Sequence, residues 1–151
     1  MAALRTTPLF AGGRVDALAE LASEVRERRF APGISLFDEG DTSNSLLLCV
    51  SGTIACDRRA PPQRFRFGSG DAVGALDAIA GKPRWYSARA ERDVVALELE
   101  RDPLFELLED RYDLALSFVR ALSSELLRLR QSFCSLRSFG GSPWPEFERS
   151  T

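Results

Sequence analysis

Apolar residues along this chain change their spacing twice, and each change predicts a change of element. Between Asp16 and Glu24, Leu18, Leu21 and Ala22 recur at helical spacing, with Asp16 placed to cap a short helix. Before it, Met1 to Gly13 reads as an irregular lead anchored by Leu9 and Phe10. The charged run Arg26-Glu27-Arg28-Arg29 then leads to a turn at Pro32-Gly33. Short apolar or alternating runs follow at Ile34–Phe37, Ser45–Val50, Thr53–Arg58 and Gln63–Phe67. Turns at Asp38–Asp41, Ser51-Gly52, Ala60–Pro62 and Gly68–Gly70 separate them. Ser87–Arg92 and Val94–Glu100 resume the strands as a final pair around Arg92-Asp93. Short strands at this spacing predict a small antiparallel barrel or sandwich.

The second change comes at Arg101. Pro103 suits a first helical turn, with Asp102 as cap, and no proline or glycine follows until Gly140. A break is expected near Asp110-Arg111. Beyond it, Tyr112, Ala115, Val119, Leu122, Leu126, Leu129, Phe133 and Leu136 recur at alternating steps of three and four. That is the pattern of a helix seam that meets a second copy. A second apolar line, Leu114, Phe118 and Leu127, is expected to face the chain's own barrel. The alternative is a single wide stripe buried within one chain. The Gly-Pro-rich end from residue 138 to 151 reads as a flexible tail.

Composition narrows the chemistry. A length of 151 residues suits one domain, and a net charge of −2 suggests no general affinity for nucleic acid or anionic membrane. No apolar run is long enough to cross a bilayer, and Met1 to Pro8 lacks the apolar core of a secretion signal, so the cytoplasm is the expected location. Three cysteines (Cys49, Cys56, Cys134) argue against a disulfide framework. The absence of histidine excludes Ser-His-Asp and Cys-His catalysis and histidine-ligated metals. No catalytic residues and no metal ligands are assigned, and an enzyme is not expected.

Between the two strand groups lies Gly70–Ala90, in which glycines open a short apolar helical turn and a Pro83-Arg84 pair follows. Together with Phe30-Ala31-Pro32-Gly33, Glu39-Gly40-Asp41, the apolar run Leu47–Gly52, Gly70-Asp71-Ala72-Val73-Gly74 and Ser87–Ala90, it carries a resemblance. In order and spacing these motifs resemble the cyclic nucleotide-binding domain of catabolite-activator-type regulators, kinase regulatory subunits and gated channels. The similarity spans about residues 8–130. It implies an α+β fold: a small antiparallel β-roll (a jelly-roll-like barrel, about 25–100) with an N-terminal helix, a short cassette helix and long C-terminal helices (about 102–137), the domain covering 8–137.

The resemblance also implies a ligand site, read here position by position. A cyclic phosphate needs backbone N–H donors at a glycine turn and an arginine fork, which Gly74, the Ala75 N–H and Arg84 would supply. Two positions depart from the family. Ala75 stands where a glutamate binds the ribose hydroxyl, and Trp85 where a small residue lies against the phosphate. Asp77 is expected to point elsewhere, and Ser87 keeps a hydroxyl. The segments Val73–Gly81 and Tyr86–Ala90 resemble the degenerate domains of patatin-type lysophospholipases of the neuropathy-target-esterase group, which also lack the ribose glutamate.

Two functions follow as expectations. One is a non-enzymatic regulatory module, impaired for cyclic AMP, that dimerises through its long helix and docks to a protein partner. The other is a genuine sensor of a cyclic nucleotide or related anion, signalling through that helix. No cofactor is assigned beyond this possible ligand. A DNA-binding regulator is not expected, because the residues after Gln131 offer no helix-turn-helix pattern.

Overall fold

A computed structural model describes residues 2–135. Eight strands follow in order: β1 (Val25–Phe30), β2 (Ser35–Phe37), β3 (Ser45–Ser51), β4 (Ile54–Arg58), β5 (Gln63–Phe67), β6 (Ala72–Val73), β7 (Ser87–Ala90) and β8 (Val94–Glu100). Helices are α1 (Ala2–Thr6), α2 (Val15–Glu24), α3 (Ala75–Ala80), α4 (Arg101–Asp110) and α5 (Tyr112–Ser135), with a 3-10 turn at Pro8–Phe10. The strands form two four-stranded sheets, ordered β1-β8-β3-β6 and β2-β7-β4-β5. All the pairings are antiparallel, as a β-roll requires.

The apolar run in β3 has a direct cause. Leu47 and Cys49 face the second sheet, in a core shared with Phe37, Ile54, Cys56, Phe67 and Tyr86. Leu46 and Leu48 face the other way, into a core built with Phe10, Leu18, Leu21, Leu104, Leu114 and Phe118 from the helices. A strand covered on both faces loses the polar half of its alternation. Burial pushes the Cys56 thiol up to about 12, so it behaves as an apolar core group.

Several expectations change. The charged segment Val25–Phe30 is a strand that, among the described residues, pairs with β8 alone at the sheet edge. Its middle residues are exposed, and Arg28 pairs with Glu98 at 2.6 Å, as edge strands often carry charge. Strands β7 and β8 do not pair with each other; the Glu91–Asp93 turn carries the chain from one sheet to the other. At that turn Gly52 has φ +101°, and a Cβ there would collide with the Asp93 carbonyl oxygen. The expected irregular lead contains α1, with Leu4 fully buried. Neither Asp16 nor Asp102 caps its helix: the cap positions are Arg14 and Glu100, and both aspartates lie in the first turn. Asp16 instead accepts a hydrogen bond from Arg111 at 2.8 Å, and Arg111 also reaches Glu20 at 3.0 Å.

The break expected near Asp110-Arg111 is present, between α4 and α5. The first half of α5 packs on the body through Leu114 and Phe118, with the Phe118 ring 5.8 Å from Phe10. Ser117 Oγ accepts the Gly12 N–H at 3.1 Å, and Asp113 accepts the Arg14 N–H at the same distance. Leu127 does not face the barrel; it is 58% exposed. On the expected seam, Tyr112, Val119 and Leu126 are exposed at 79%, 59% and 55%, spaced seven residues apart on one face. Leu122 is half-buried against the helical core. The side chains of Leu129 and Phe133, together with Leu136 and the 138–151 segment, lie outside the described residues.

Candidate functional site

The segment Gly70–Ala90 wraps one end of the roll. Gly70 N–H donates to the Cys49 carbonyl at 2.8 Å and Cys49 N–H to Asp71 O at 2.9 Å, which fasten the entry to β3. Gly74 takes φ +71° and starts α3, and Gly81 at φ +64° ends it. The Glu39-Gly40-Asp41 turn holds the far end. Gly40 N–H donates to Arg84 O at 2.8 Å, and Arg84 N–H donates to Asp41 O at 2.9 Å. Ser87 Oγ accepts the Glu39 N–H at 2.9 Å, so this hydroxyl is tied to the turn. The two motifs that stood apart in the sequence are one structural unit.

Arg84 is 5% exposed and lies beneath α3. Its Nη1 donates to Gly74 O at 2.7 Å and to Asp77 Oδ1 at 3.1 Å, and its Nη2 donates to Ser45 O at 2.6 Å. The guanidinium sits 4.2 Å from the Phe37 ring centroid, a cation–π contact. A Cβ at position 74 would collide with Arg84 Nη1, so glycine is required there by close approach as well as by φ. Among the described residues, Arg84 Nε and Asp77 Oδ2 find no hydrogen-bond partner, and both are buried.

Tyr86 is 2% exposed, and its hydroxyl accepts the Gly74 N–H at 2.8 Å. Burial pushes its phenol well above the ordinary tyrosine range, so it stays neutral. Its ring packs among Phe37, Phe65 and Trp85 at centroid distances of 5.4, 4.9 and 4.6 Å. Trp85 is half-buried and stacks on Phe65 at 5.5 Å, with the Arg58 guanidinium 5.8 Å from its indole.

Between this segment and α5 lies a cavity of about 200 Å³. Gly74, Ala75, Trp85 and Tyr86 line it from one side, Ala121 and Leu122 from α5, and Leu9 from the 3-10 turn. Arg84 and Ser87 are not among its lining residues. Of the five expected site residues, the structure therefore gathers Gly74, Ala75 and Trp85 at the cavity. It directs Arg84 under α3 and Ser87 to the turn. Among the described residues no cluster of acidic or cysteine side chains is arranged to hold a metal ion.

Two residues escaped sequence reasoning. Asp77, expected to point elsewhere, is the buried partner of Arg84. Tyr86, next to the singled-out Trp85, is the more deeply buried of the two and takes the Gly74 N–H. The signal for Tyr86 was available: Ala88 and Ala90 point into the core, and the same alternation carries Tyr86 inward. No spacing rule links Asp77 to Arg84.

Residues 27–111 match the family described as the cyclic nucleotide-binding domain. This chain belongs to that family. The domain is similar to a CRP-like cAMP-activated global transcriptional regulator from Mycobacterium tuberculosis, at 29% identity over 132 residues, covering 85% of this chain and 59% of that protein. It is also 29% identical over 128 residues to an uncharacterized NTE family protein from the same species, covering 85% of this chain and 22% of that protein. The chain thus spans less than two thirds of either relative, 59% of the first and 22% of the second. The solved structure of a cyclic nucleotide-binding domain from Methylobacillus flagellatus superposes with a TM-score of 0.80 at 25% identity, covering 95% of this chain and 84% of that one. Together these place the domain in the cyclic nucleotide-binding β-roll class that its motifs implied.

Proposed function

We propose that this domain is a non-enzymatic regulatory module that has given up the family's cyclic phosphate, works in the cytoplasm, and acts by pairing with a second copy and docking to a protein. One observation carries the first part: two of the groups that would hold the anion, the Gly74 N–H and the Arg84 Nη1, already have partners within the chain. Tyr86 takes the Gly74 N–H, and Asp77 supplies a carboxylate to Arg84. To reach those two donors, an incoming phosphate must displace a buried hydroxyl and break a buried ion pair. Ala75 adds no acceptor for a ribose hydroxyl. The exposed apolar face of α5 at Tyr112, Val119 and Leu126 supports pairing. The net charge of −2 supports a protein partner over DNA.

Calorimetric titration with cyclic AMP, cyclic GMP and cyclic dinucleotides tests this reading. The wild type is expected to give no heat of binding at micromolar ligand. The triple variant Ala75→Glu, Trp85→Ala, Tyr86→Ala is expected to gain affinity for cyclic AMP. Micromolar binding by the wild type overturns the reading.

A second reading is a true anion sensor, and one feature favours it. The buried, unpartnered Arg84 Nε leaves the guanidinium incompletely satisfied, so an anion that offers two oxygens has something to add. The same titration separates the two.

A further inference from the structure

Strand β5 lies at the end of the second sheet, and among the described residues it pairs with β4 alone. Neighbouring hydrogen bonds fix which of its backbone groups face outward. Ala90 N–H donates to Ile34 O at 2.9 Å, on the far side of β7 from β4, and Glu91 N–H donates to Thr53 O at 2.9 Å. Thr53 and Glu91 continue the register Ala55↔Arg89 and Asp57↔Ser87. Backbone groups alternate in direction along a strand, so Ala55 and Asp57 bond toward β7, and Ile54, Cys56 and Arg58 toward β5. Their partners Phe67, Phe65 and Gln63 bond back to β4, which leaves the N–H and C=O of Arg64 and Arg66 at the open edge.

An open edge is a template for a further strand. The two faces of this one differ. Arg64 and Arg66 are exposed on the outer face. Phe65 is half-buried on the inner face, 5.5 Å from Phe67, 5.5 Å from Trp85 and 4.9 Å from Tyr86. The sequence carries a complement to Arg64-Phe65-Arg66 in Glu146-Phe147-Glu148. Pro143 and Pro145, which have no N–H, share the parity of Phe147, so Trp144, Glu146 and Glu148 keep their donors on the other parity. Chain length permits the approach. Arg128 on α5 lies 3.5 Å from Asp71, which accepts the Gly68 N–H at 2.8 Å just after β5. Seven residues of α5 follow Arg128 and rise about 10 Å. Residues 136–146 span up to about 36 Å, enough to return to the Phe67 end of β5.

We propose that residues 144–148 of this chain add to the open edge of β5 as an antiparallel strand. Glu146 stands opposite Arg66, Phe147 opposite Phe65 and Glu148 opposite Arg64. The carboxylates then meet the guanidiniums on the outer face, and Phe147 extends the aromatic cluster on the inner one. An edge closed in this way no longer offers itself to another chain.

Hydrogen-exchange NMR on the full chain tests the proposal. The Arg64 and Arg66 amides are expected to be protected. In the double variant Glu146→Pro, Glu148→Pro both are expected to lose protection about tenfold or more, because the donors that hold the added strand are gone. The Phe65 amide, which bonds into β4, is expected to keep its protection. Arg64→Glu is expected to lower protection of the Arg66 amide about two- to fivefold, and Arg64→Glu with Glu148→Arg to restore it. Leu126→Asp, on the exposed face of α5, is expected to leave all three amides unchanged.

Arg64 and Arg66 amides that exchange at unprotected rates in the full chain overturn the proposal. Protection that survives the double proline variant does so too, since another segment then covers the edge. Protection that Leu126→Asp removes would assign the strand to a second copy. Loss of Phe65 protection in the proline variant would place the segment inside the core rather than on its edge. An Arg66 amide that Arg64→Glu leaves unmoved, or that the charge swap fails to restore, overturns the register.

Discussion

Asp77 and Arg84 form a buried ion pair at 3.1 Å, with side chains 2% and 5% exposed. The pair ties α3 to the loop that leads into β7, and Arg84 extends it to the carbonyls of Gly74 and Ser45. Removing one partner of such a pair leaves an uncompensated buried charge. Asp77→Asn is therefore expected to lower stability by about 3–5 kcal/mol, measured by urea denaturation. Replacing both residues, Asp77→Leu with Arg84→Met, should cost less than the sum of the single changes. A single-variant loss below about 1 kcal/mol would mean that the pair does not organise the cassette.

Tyr86 makes a separable prediction. Tyr86→Phe keeps the ring and deletes the acceptor of the Gly74 N–H. A buried donor left without a partner costs about 1–3 kcal/mol. The Gly74 amide is expected to exchange faster with solvent in the variant, with the aromatic packing retained. Unchanged Gly74 protection in hydrogen-exchange NMR would show that the hydroxyl does not hold that amide.

The helix face is tested by Leu126→Asp. Tyr112, Val119 and Leu126 share one exposed stripe, and a carboxylate in the middle of a self-association seam is strongly unfavourable. The wild type is expected to sediment as a dimer and the variant as a monomer of unchanged helicity. A wild type of monomer mass, or an unchanged mass for the variant, would remove the proposed pairing.

Acid stability turns on the contact between α2 and the break that separates α4 from α5. The hydrogen bond from Arg111 holds the Asp16 carboxyl below its ordinary value of 3.8. A carboxyl depressed in the folded state adds stability above its unfolded pKa and loses that contribution as pH falls through the folded one. Arg111→Met is therefore expected to destabilise the protein modestly near neutrality, since the pair is exposed. The gap to wild type should narrow as pH falls below about 4. A constant gap across that range in pH-dependent thermal melts would exclude this carboxyl as the source.

The alternating runs of β4 and β5 and the glycine–proline turns were legible from the sequence because each is a local matter of period or φ. The seven-residue recurrence of Tyr112, Val119 and Leu126 was legible for the same reason. β1 was hidden because an edge strand needs no apolar alternation, only a neighbour to bond with. The inside and outside of β3 were hidden because it is covered on both faces.

By itself, the sequence determined the β-roll, its order of turns and the place of the cassette. Those depend on short-range stereochemistry and on motifs that recur intact. Only the tertiary structure decided what the cassette's donors do. Whether Arg84 faces a cavity or a carboxylate depends on α3 bringing Asp77 within 3.1 Å across seven residues, and no period in the sequence encodes that. Whether Trp85 or Tyr86 fills the space beside Gly74 depends on where the chain enters β7. That entry is set by the Glu39-Gly40-Asp41 turn, which clips the Arg84 backbone from more than forty residues away.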